Sequence, residues 1–168
     1  TRRSSDLITG IGSLVVLYSI GYLSKSEQLG NFYCYLLLFM GAMLGVVLSD
    51  NFIILYLFWE LTSFSSFLLI SFWREKKASI YGAQKSLIIT VLGGLSMLGG
   101  IILLSLATDT FSIQAMISKA SDIQNSPFFI LVMILFMIGA FTKSAQVPFY
   151  IWLPDAMEAP TPVSAYLH

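Results

Sequence analysis

Two ionisable residues stand where ionisable residues are costly. Glu60 lies eight residues into the apolar stretch 52–73, of which it is the interrupting charge, and Lys143 closes an uncharged run over 123–142. At 1.5 Å per residue a helical Glu60 sits about 12 Å deep in that stretch. A charged side chain at the centre of a bilayer costs about 3 kcal/mol on insertion scales, and such residues mark ion pathways and proton relays. The plainer alternative for Glu60 is a protonated carboxyl bonded to a neighbouring helix, served by the polar neighbourhood of Thr62, Ser63, Ser65 and Ser66. The ion-pathway reading is favoured. For Lys143 the alternative is a stem that snorkels to the headgroups. Against it, the apolar Phe149-Tyr150-Ile151-Trp152-Leu153 follows within a few residues and would be stranded in water. A helix that breaks and resumes inside the membrane, with Lys143 beside unwound backbone, fits better.

The proline pattern supports that break. Pro148, Pro154, Pro160 and Pro162 fall within fifteen residues, four of the chain's five prolines. No single helix tolerates that density. Thr161-Pro162 reads as an N-cap with proline at the first helical position, opening a new helix at 162. Asp155 and Glu158 flank the break and fit a pathway or an interfacial turn equally. Lys85 is explained by snorkelling to a membrane face, with an inward relay position as the alternative. His168 has a titration range suited to proton relay.

The elements that would position these residues are spans. Uncharged runs cover 7–24, 28–49, 86–108 and 123–142, of 18, 22, 23 and 20 residues. About 20 apolar residues cross a bilayer core as helix, and backbone in lipid must bond within its own segment. With the Glu60 stretch this predicts an all-α, polytopic membrane protein in one domain, 1–168. Its five spans lie near 7–24, 28–49, 52–73, 86–108 and 126–146, followed by a broken or re-entrant segment over 147–161. The β-prone Phe52-Ile53-Ile54-Leu55-Tyr56 belongs to the third span. Ser112 to Ile117 forms an amphipathic piece suited to the interface. The GxxxG of Gly41 and Gly45, and the pairs Gly93-Gly94 and Gly99-Gly100, read as close helix packing. Trp73 reads as an interfacial anchor.

Composition narrows the function. The 168 residues are 57% hydrophobic and 11% charged, with nine basic and nine acidic side chains and no net charge; mean hydropathy is +0.82. Nucleic-acid binding needs clustered positive charge, which is missing. Cys34 alone excludes an internal disulfide or a multi-cysteine metal site. No nucleotide loop, histidine cluster or nucleophile–base set is present, so no cofactor, no metal and no enzyme catalysis on a soluble substrate is expected. Arg2-Arg3 ahead of an apolar run has the look of a secretory signal, but only further apolar runs follow. Thr1 at the start and His168 inside an apolar run make the chain read as a piece of a longer protein.

Several motifs then resemble one superfamily: Leu14 to Tyr22 (LVVLYSIGY), Phe58-Trp59-Glu60-Leu61, Lys143-Ser144-Ala145-Gln146, and Trp152 to Ala165 (WLPDAMEAPTPVSA). It contains the antiporter-like membrane subunits of respiratory NADH:quinone oxidoreductase (complex I) and the large subunits of Mrp-type (Mnh-type) multisubunit Na+/H+ antiporters. Trp59 to Ile70 and Phe141-Thr142-Lys143 are most similar to the A-subunit family of the antiporters. Complex I subunits often carry an aspartate in the fourth span, where this chain has Gly93-Gly94. The resemblance implies that Glu60 is the essential glutamate of the family's fifth helix and Lys143 the lysine of its broken seventh. Lys85 would be a lysine near that pair and His168 the opening histidine of the eighth helix. It implies secondary transport: Na+ leaves a bacterial cell in exchange for entering protons, through a cytoplasmic-membrane complex with other membrane subunits. The alternative is a proton-pumping subunit of complex I. Helices before the first span, and everything beyond the start of the eighth helix, would be missing.

Charge also predicts orientation. The loops after spans one and three share a face carrying Lys25, Arg74, Lys76 and Lys77, whereas the other face has Lys119 with Arg2 and Arg3. The positive-inside rule then places the Arg74–Lys77 loop in the cytoplasm and the 107–126 loop outside. Single cysteines at Lys76 and Thr110, in a Cys34→Ala background, should react with an impermeant reagent in intact cells at Thr110 only. Labelling from outside at Lys76 would reverse the topology.

Overall fold

A computed structural model describes residues 2–23 and 28–167, so Lys25 and His168 lie outside the described residues. Among the described residues, four helices are long and apolar enough to span a membrane: α1 (Arg2–Tyr22), α2 (Leu29–Leu48), α3 (Phe52–Ile70) and α4 (Lys77–Thr108). Two short helices follow, α5 (Ile113–Ser118) and α6 (Ala120–Gln124), then α7 (Phe129–Lys143). A 3₁₀ turn (Phe149–Trp152), α8 (Leu153–Ala156) and α9 (Thr161–Leu167) complete the described chain. No strand forms among the described residues, and the β-prone start of α3 is helical. Asn51 starts it: its side-chain oxygen accepts from the amides of Ile53 and Ile54 at 2.9 and 3.3 Å, satisfying donors that no helical carbonyl can reach.

Two elements differ from the expected spans. The fourth was placed at 86–108 but begins at Lys77, because a helix need not stop where the charges begin. Its 32 residues run about 48 Å, well beyond a hydrocarbon core of about 30 Å. The fifth was placed at 126–146, but α7 holds only 15 residues, about 22 Å of helix. Pro127 precedes it, and it ends at Lys143 because Ala145 adopts a left-handed backbone with φ 51°. The Gln146 amide then returns to the Phe141 carbonyl at 2.9 Å, the closing bond of a Schellman cap. Alanine there, in place of the usual glycine, costs about 1–2 kcal/mol.

The helices pack in chain order, α1 on α2, α2 on α3, α3 on α4 and α4 on α7, while α8 lies on α4 and α9 returns to α1. One apolar core joins Phe32, Leu36 and Phe39 of α2 to Leu69 and Ile70 of α3 and to Trp152, Ala156 and Val163 of the proline-rich stretch. The irregular segment is therefore lodged in protein, the condition under which such backbone survives at membrane depth. A smaller cluster of Leu104, Met116 and Val132 seats the amphipathic α5 at the far end of α4. Asp50 fixes α5 there, its carboxylate accepting from the Ser112 hydroxyl at 2.8 Å and the Gln114 amide at 3.1 Å. Leu14 and Leu17 of α1 and Ile130 of α7 point outward, each more than three-fifths exposed, as lipid-facing side chains do.

Glycine places the contacts. A Cβ on Gly93 would fall onto the Thr142 hydroxyl, with Thr142 Cβ at 2.6 Å, and one on Gly139 would meet Met97 Cβ at 2.8 Å and the Gly93 carbonyl at 3.1 Å. At Gly94 it would fall onto Glu60 Oε1. The GxxxG of α2 is only half used: Gly45 seats the Phe58 ring, while Gly41 faces open space. Gly93→Ala must therefore part α4 from α7 and should cost about 1–3 kcal/mol, read as a lower melting temperature in detergent. Gly94→Ala meets the free end of one flexible side chain and should cost less. Gly41→Ala should be neutral or slightly stabilising, since alanine is the better helix former.

Candidate functional site

Glu60 is the ninth residue of α3's nineteen, and its carboxyl lies against Gly94 near the middle of α4. Thr142 lies on the adjoining Gly93, so Lys143 stands at the same depth. The packing of bare α4 backbone against α3 on one side and α7 on the other thus brings both sequence-predicted residues to the middle of the bundle.

Lys143 does not bond to the Glu60 carboxylate. Its ammonium donates to Thr62 Oγ1 at 2.8 Å and Ser63 Oγ at 2.7 Å, and lies 5.6 Å from the centroid of the Trp59 ring. An ammonium only donates, so both hydroxyl oxygens must accept. Their own protons go to the Trp59 carbonyl, from Thr62 at 2.6 Å and Ser63 at 3.5 Å. Glu60 and Lys143 still act on each other electrostatically. Among the described residues, Glu60 Oε1 and Trp59 Nε1 are buried without a hydrogen-bond partner. Thr62 and Ser63 looked from the sequence like partners for Glu60; they are the seat of Lys143.

A cavity of about 330 Å³ opens beside the ammonium. Ser66, Ser86, Thr90 and Ser144 line it with Thr62 and Ser63, opposite an apolar wall that includes Phe39 and Met43. It has the volume for several waters and hydroxyls to bond them. The break after Lys143 shapes this space. Thr142's carbonyl, near the end of α7, accepts the Trp152 indole N–H at 2.9 Å. Pro148 follows a cis peptide bond from Val147 and leads into the 3₁₀ turn, Pro154 sits in the first turn of α8, and Pro160 and Pro162 are buried where α9 begins.

Lys85 is elsewhere. It lies eight residues before Gly93 on α4, about 12 Å along the axis, and its ammonium pairs with Asp155 Oδ2 at 2.7 Å. This is the ion pair found among the described residues, and sequence reasoning missed it. The available signal was Asp155 itself, a carboxylate inside the proline-rich break. Glu158 is exposed. Among the described residues no three His, Cys, Asp or Glu side chains gather as metal ligands would.

Comparison with known proteins agrees with this architecture. Residues 49–168 match the family described as NADH:quinone oxidoreductase/Mrp antiporter, transmembrane. The Na(+)/H(+) antiporter subunit A1 of Staphylococcus aureus, in strains JH9 and Newman alike, is 88% identical over 164 residues, which are 98% of this chain and 20% of that protein. This chain thus spans about a fifth of the curated relatives it matches. A chain of the Mrp complex from Dietzia sp. DQ12-45-1b superposes with a TM-score of 0.90 at 39% identity, over 98% of this chain and 18% of that one. A chain of the membrane-bound sulfane sulfur reductase, an archaeal respiratory membrane complex, shares the fold with a TM-score of 0.84 at 22% identity, over 94% and 32% of the two chains. A multi-pass helical bundle with a break after Lys143, matched over residues 49–168 by the family and over 98% of the chain by its relatives, places this chain in the NADH:quinone oxidoreductase/Mrp antiporter transmembrane family.

Proposed function

We propose that this chain forms a proton-handling part of the large A-type subunit of a multisubunit Na+/H+ antiporter in a bacterial cytoplasmic membrane. Its partners there are other membrane subunits, the transported ions are Na+ and H+, and the process is secondary transport rather than enzyme catalysis, without a cofactor. One observation carries the reading: the ammonium of Lys143, inside the bundle, rests on two neutral hydroxyls of α3 at the edge of a hydroxyl-lined cavity, with Glu60 within one turn of them on the same helix. A side chain anchored by hydroxyls is free to move. Swinging the four-carbon stem from Thr62 and Ser63 toward Glu60 closes a charge pair, and swinging back opens it. In this reading the seat on Thr62 and Ser63 is the open form. Closing favours the charged states of both groups, opening favours proton release from one and uptake by the other, and the cavity gives Lys143 its access to water.

The competing reading is a proton-pumping subunit of complex I, a lineage the family also includes. The 88% identical relatives carry the antiporter name, and Gly93-Gly94 leaves no room for the aspartate often found there in complex I subunits. The two separate experimentally: vesicles containing the full-length chain with its companion subunits should exchange Na+ for H+ under an imposed proton gradient with no NADH or quinone present.

A proton-relay carboxylate must titrate. Glu60→Gln should lower exchange by about 100-fold, within the range of general acid–base contributions, whereas Glu60→Asp retains part of it. Near-normal exchange by assembled Glu60→Gln would return Glu60 to a packing role. Lys143 makes the sharper demand, because a relay lysine must lose its proton during the cycle and arginine essentially never does. Lys143→Arg should fail nearly as badly as Lys143→Ala, measured as antiport in vesicles from a strain lacking its own exchangers. Arginine that works while alanine fails would make Lys143 a fixed cation.

A further inference from the structure

The stretch between Lys143 and α9 is held to the bundle by few polar contacts. Near its middle the Trp152 indole bonds the Thr142 carbonyl. At its far end Asp155 reaches across seventy residues of sequence to Lys85. That contact is built closely: a Cβ on Gly82, one turn before Lys85, would fall onto the Asp155 carbonyl, with the carbonyl carbon at 2.7 Å. Ala156 beside it is fully buried. The residues between are looser, with Ser144, Gln146, Val147, Tyr150 and Ile151 all exposed.

We infer that Asp155 is a positioning residue: its ion pair with Lys85 latches the broken segment onto α4 and so fixes the end of α7 that presents Lys143 to its cavity. This rests on Lys143 being the proton-handling lysine. It also gives Lys85 a different task from the one its family resemblance implies. A relay lysine near the Glu60–Lys143 pair would direct its ammonium toward them. Lys85 instead stands about two α4 turns from the level of Thr142, with its ammonium on Asp155 and 5.7 Å from the centroid of the Tyr81 ring. The latch suits its depth. In solvent such a half-exposed pair contributes little, but at the edge of the hydrocarbon a lone charge is costly, so each partner holds the other in place. The pair is the one charged tether on a segment that carries no other ion pair among the described residues.

The test reads the segment directly. In the full-length chain within its assembled complex, with Cys34→Ala, a cysteine in place of the fully buried Ala156 is modified by N-ethylmaleimide, and a cysteine at Thr110 serves as control. Asp155→Asn and Lys85→Gln should each speed Ala156→Cys modification about tenfold and leave Thr110→Cys unchanged. The swap of Lys85→Glu with Asp155→Lys should restore slow modification. Lys85→Arg should keep both slow modification and near-normal exchange, since the latch needs a cation and not a proton donor. Single variants that modify no faster, or a swap as open as the singles, overturn the latch. So does a Lys85→Arg protein that stays closed yet loses exchange, which would make Lys85 a relay. Labelling does not depend on which ions cross the membrane, so its result stands apart from the antiporter assignment. Should Asp155→Asn fail to accumulate, the swap and Lys85→Arg still decide.

Discussion

Everything at the centre of this bundle depends on the bare backbone of Gly93 and Gly94. Three helices meet there, and the two residues face different neighbours: Gly93 receives Thr142 of α7, and Gly94 receives the Glu60 carboxyl of α3. Gly139 completes the contact from the α7 side by admitting the Gly93 carbonyl and Met97. In lipid there is no hydrophobic gain from bringing apolar helices together, so close van der Waals approach and buried polar contacts must hold them. The same approach that packs the bundle sets the spacing of its ionisable groups. Thr142 pressed on α4 fixes where Lys143 begins, and Glu60 pressed on the next residue fixes where the carboxyl ends. Packing and function are here one geometry.

The second requirement is that a helix must stop beside Lys143 without leaving its carbonyls bare. Water satisfies helix ends at a protein surface, but at this depth the chain must do so. Gln146 takes the Phe141 carbonyl through the left-handed turn at Ala145, and the Trp152 indole takes the Thr142 carbonyl. The tryptophan is thus part of the helix end, supplied from the next element. Pro148, Pro154, Pro160 and Pro162 then keep the following residues from resuming the same helix, and the buried Trp152, Ala156 and Val163 draw that stretch into the core.

The sequence made some of this readable and hid the rest for physical reasons. Glu60 and Lys143 stood out because an isolated charge in an apolar run is rare, and the proline cluster because no helix absorbs it. Both are local signals. The true extent of α4 was hidden because charge marks the membrane boundary and not the helix boundary; Lys77 and Lys85 simply continue the same helix. The loss of three residues at the C-terminal end of α7 turned on a left-handed alanine, a conformation alanine gives no warning of, while at the other end the helix begins only after Pro127. The partner of Lys85 was hidden because Asp155 is seventy residues away, and only the fold shows that α8 lies across the first turns of α4. Thr62 and Ser63 looked available to Glu60 under its packing alternative, but they serve Lys143. On a helix Thr62 points away from Glu60 while Ser63, three residues on, shares its side, and only the placement of α7 identifies the ammonium that both hydroxyls hold.

That allotment matters for how a cation can be held at depth and still be movable. Hydrogen bonds from a charged donor contribute about 1.5–3 kcal/mol each, so two hydroxyl acceptors supply about 3–6 kcal/mol to Lys143. A carboxylate 4 Å away, at the effective dielectric that describes protein sites, supplies about 4 kcal/mol. The two contributions are therefore of the same order. Had Lys143 rested on Glu60 with no alternative, separation would have left two unpaired charges in a poorly solvated interior, a cost large enough to lock the pair. In the proposed relay Thr62 and Ser63 would remove that penalty by solvating the ammonium when it leaves the carboxylate. A near-balanced pair of positions would let a modest change elsewhere, such as the arrival of a proton, shift the lysine from one to the other. Neutral hydroxyls one turn beyond the glutamate are thus as much a requirement of a switching charge pair as the two charges themselves.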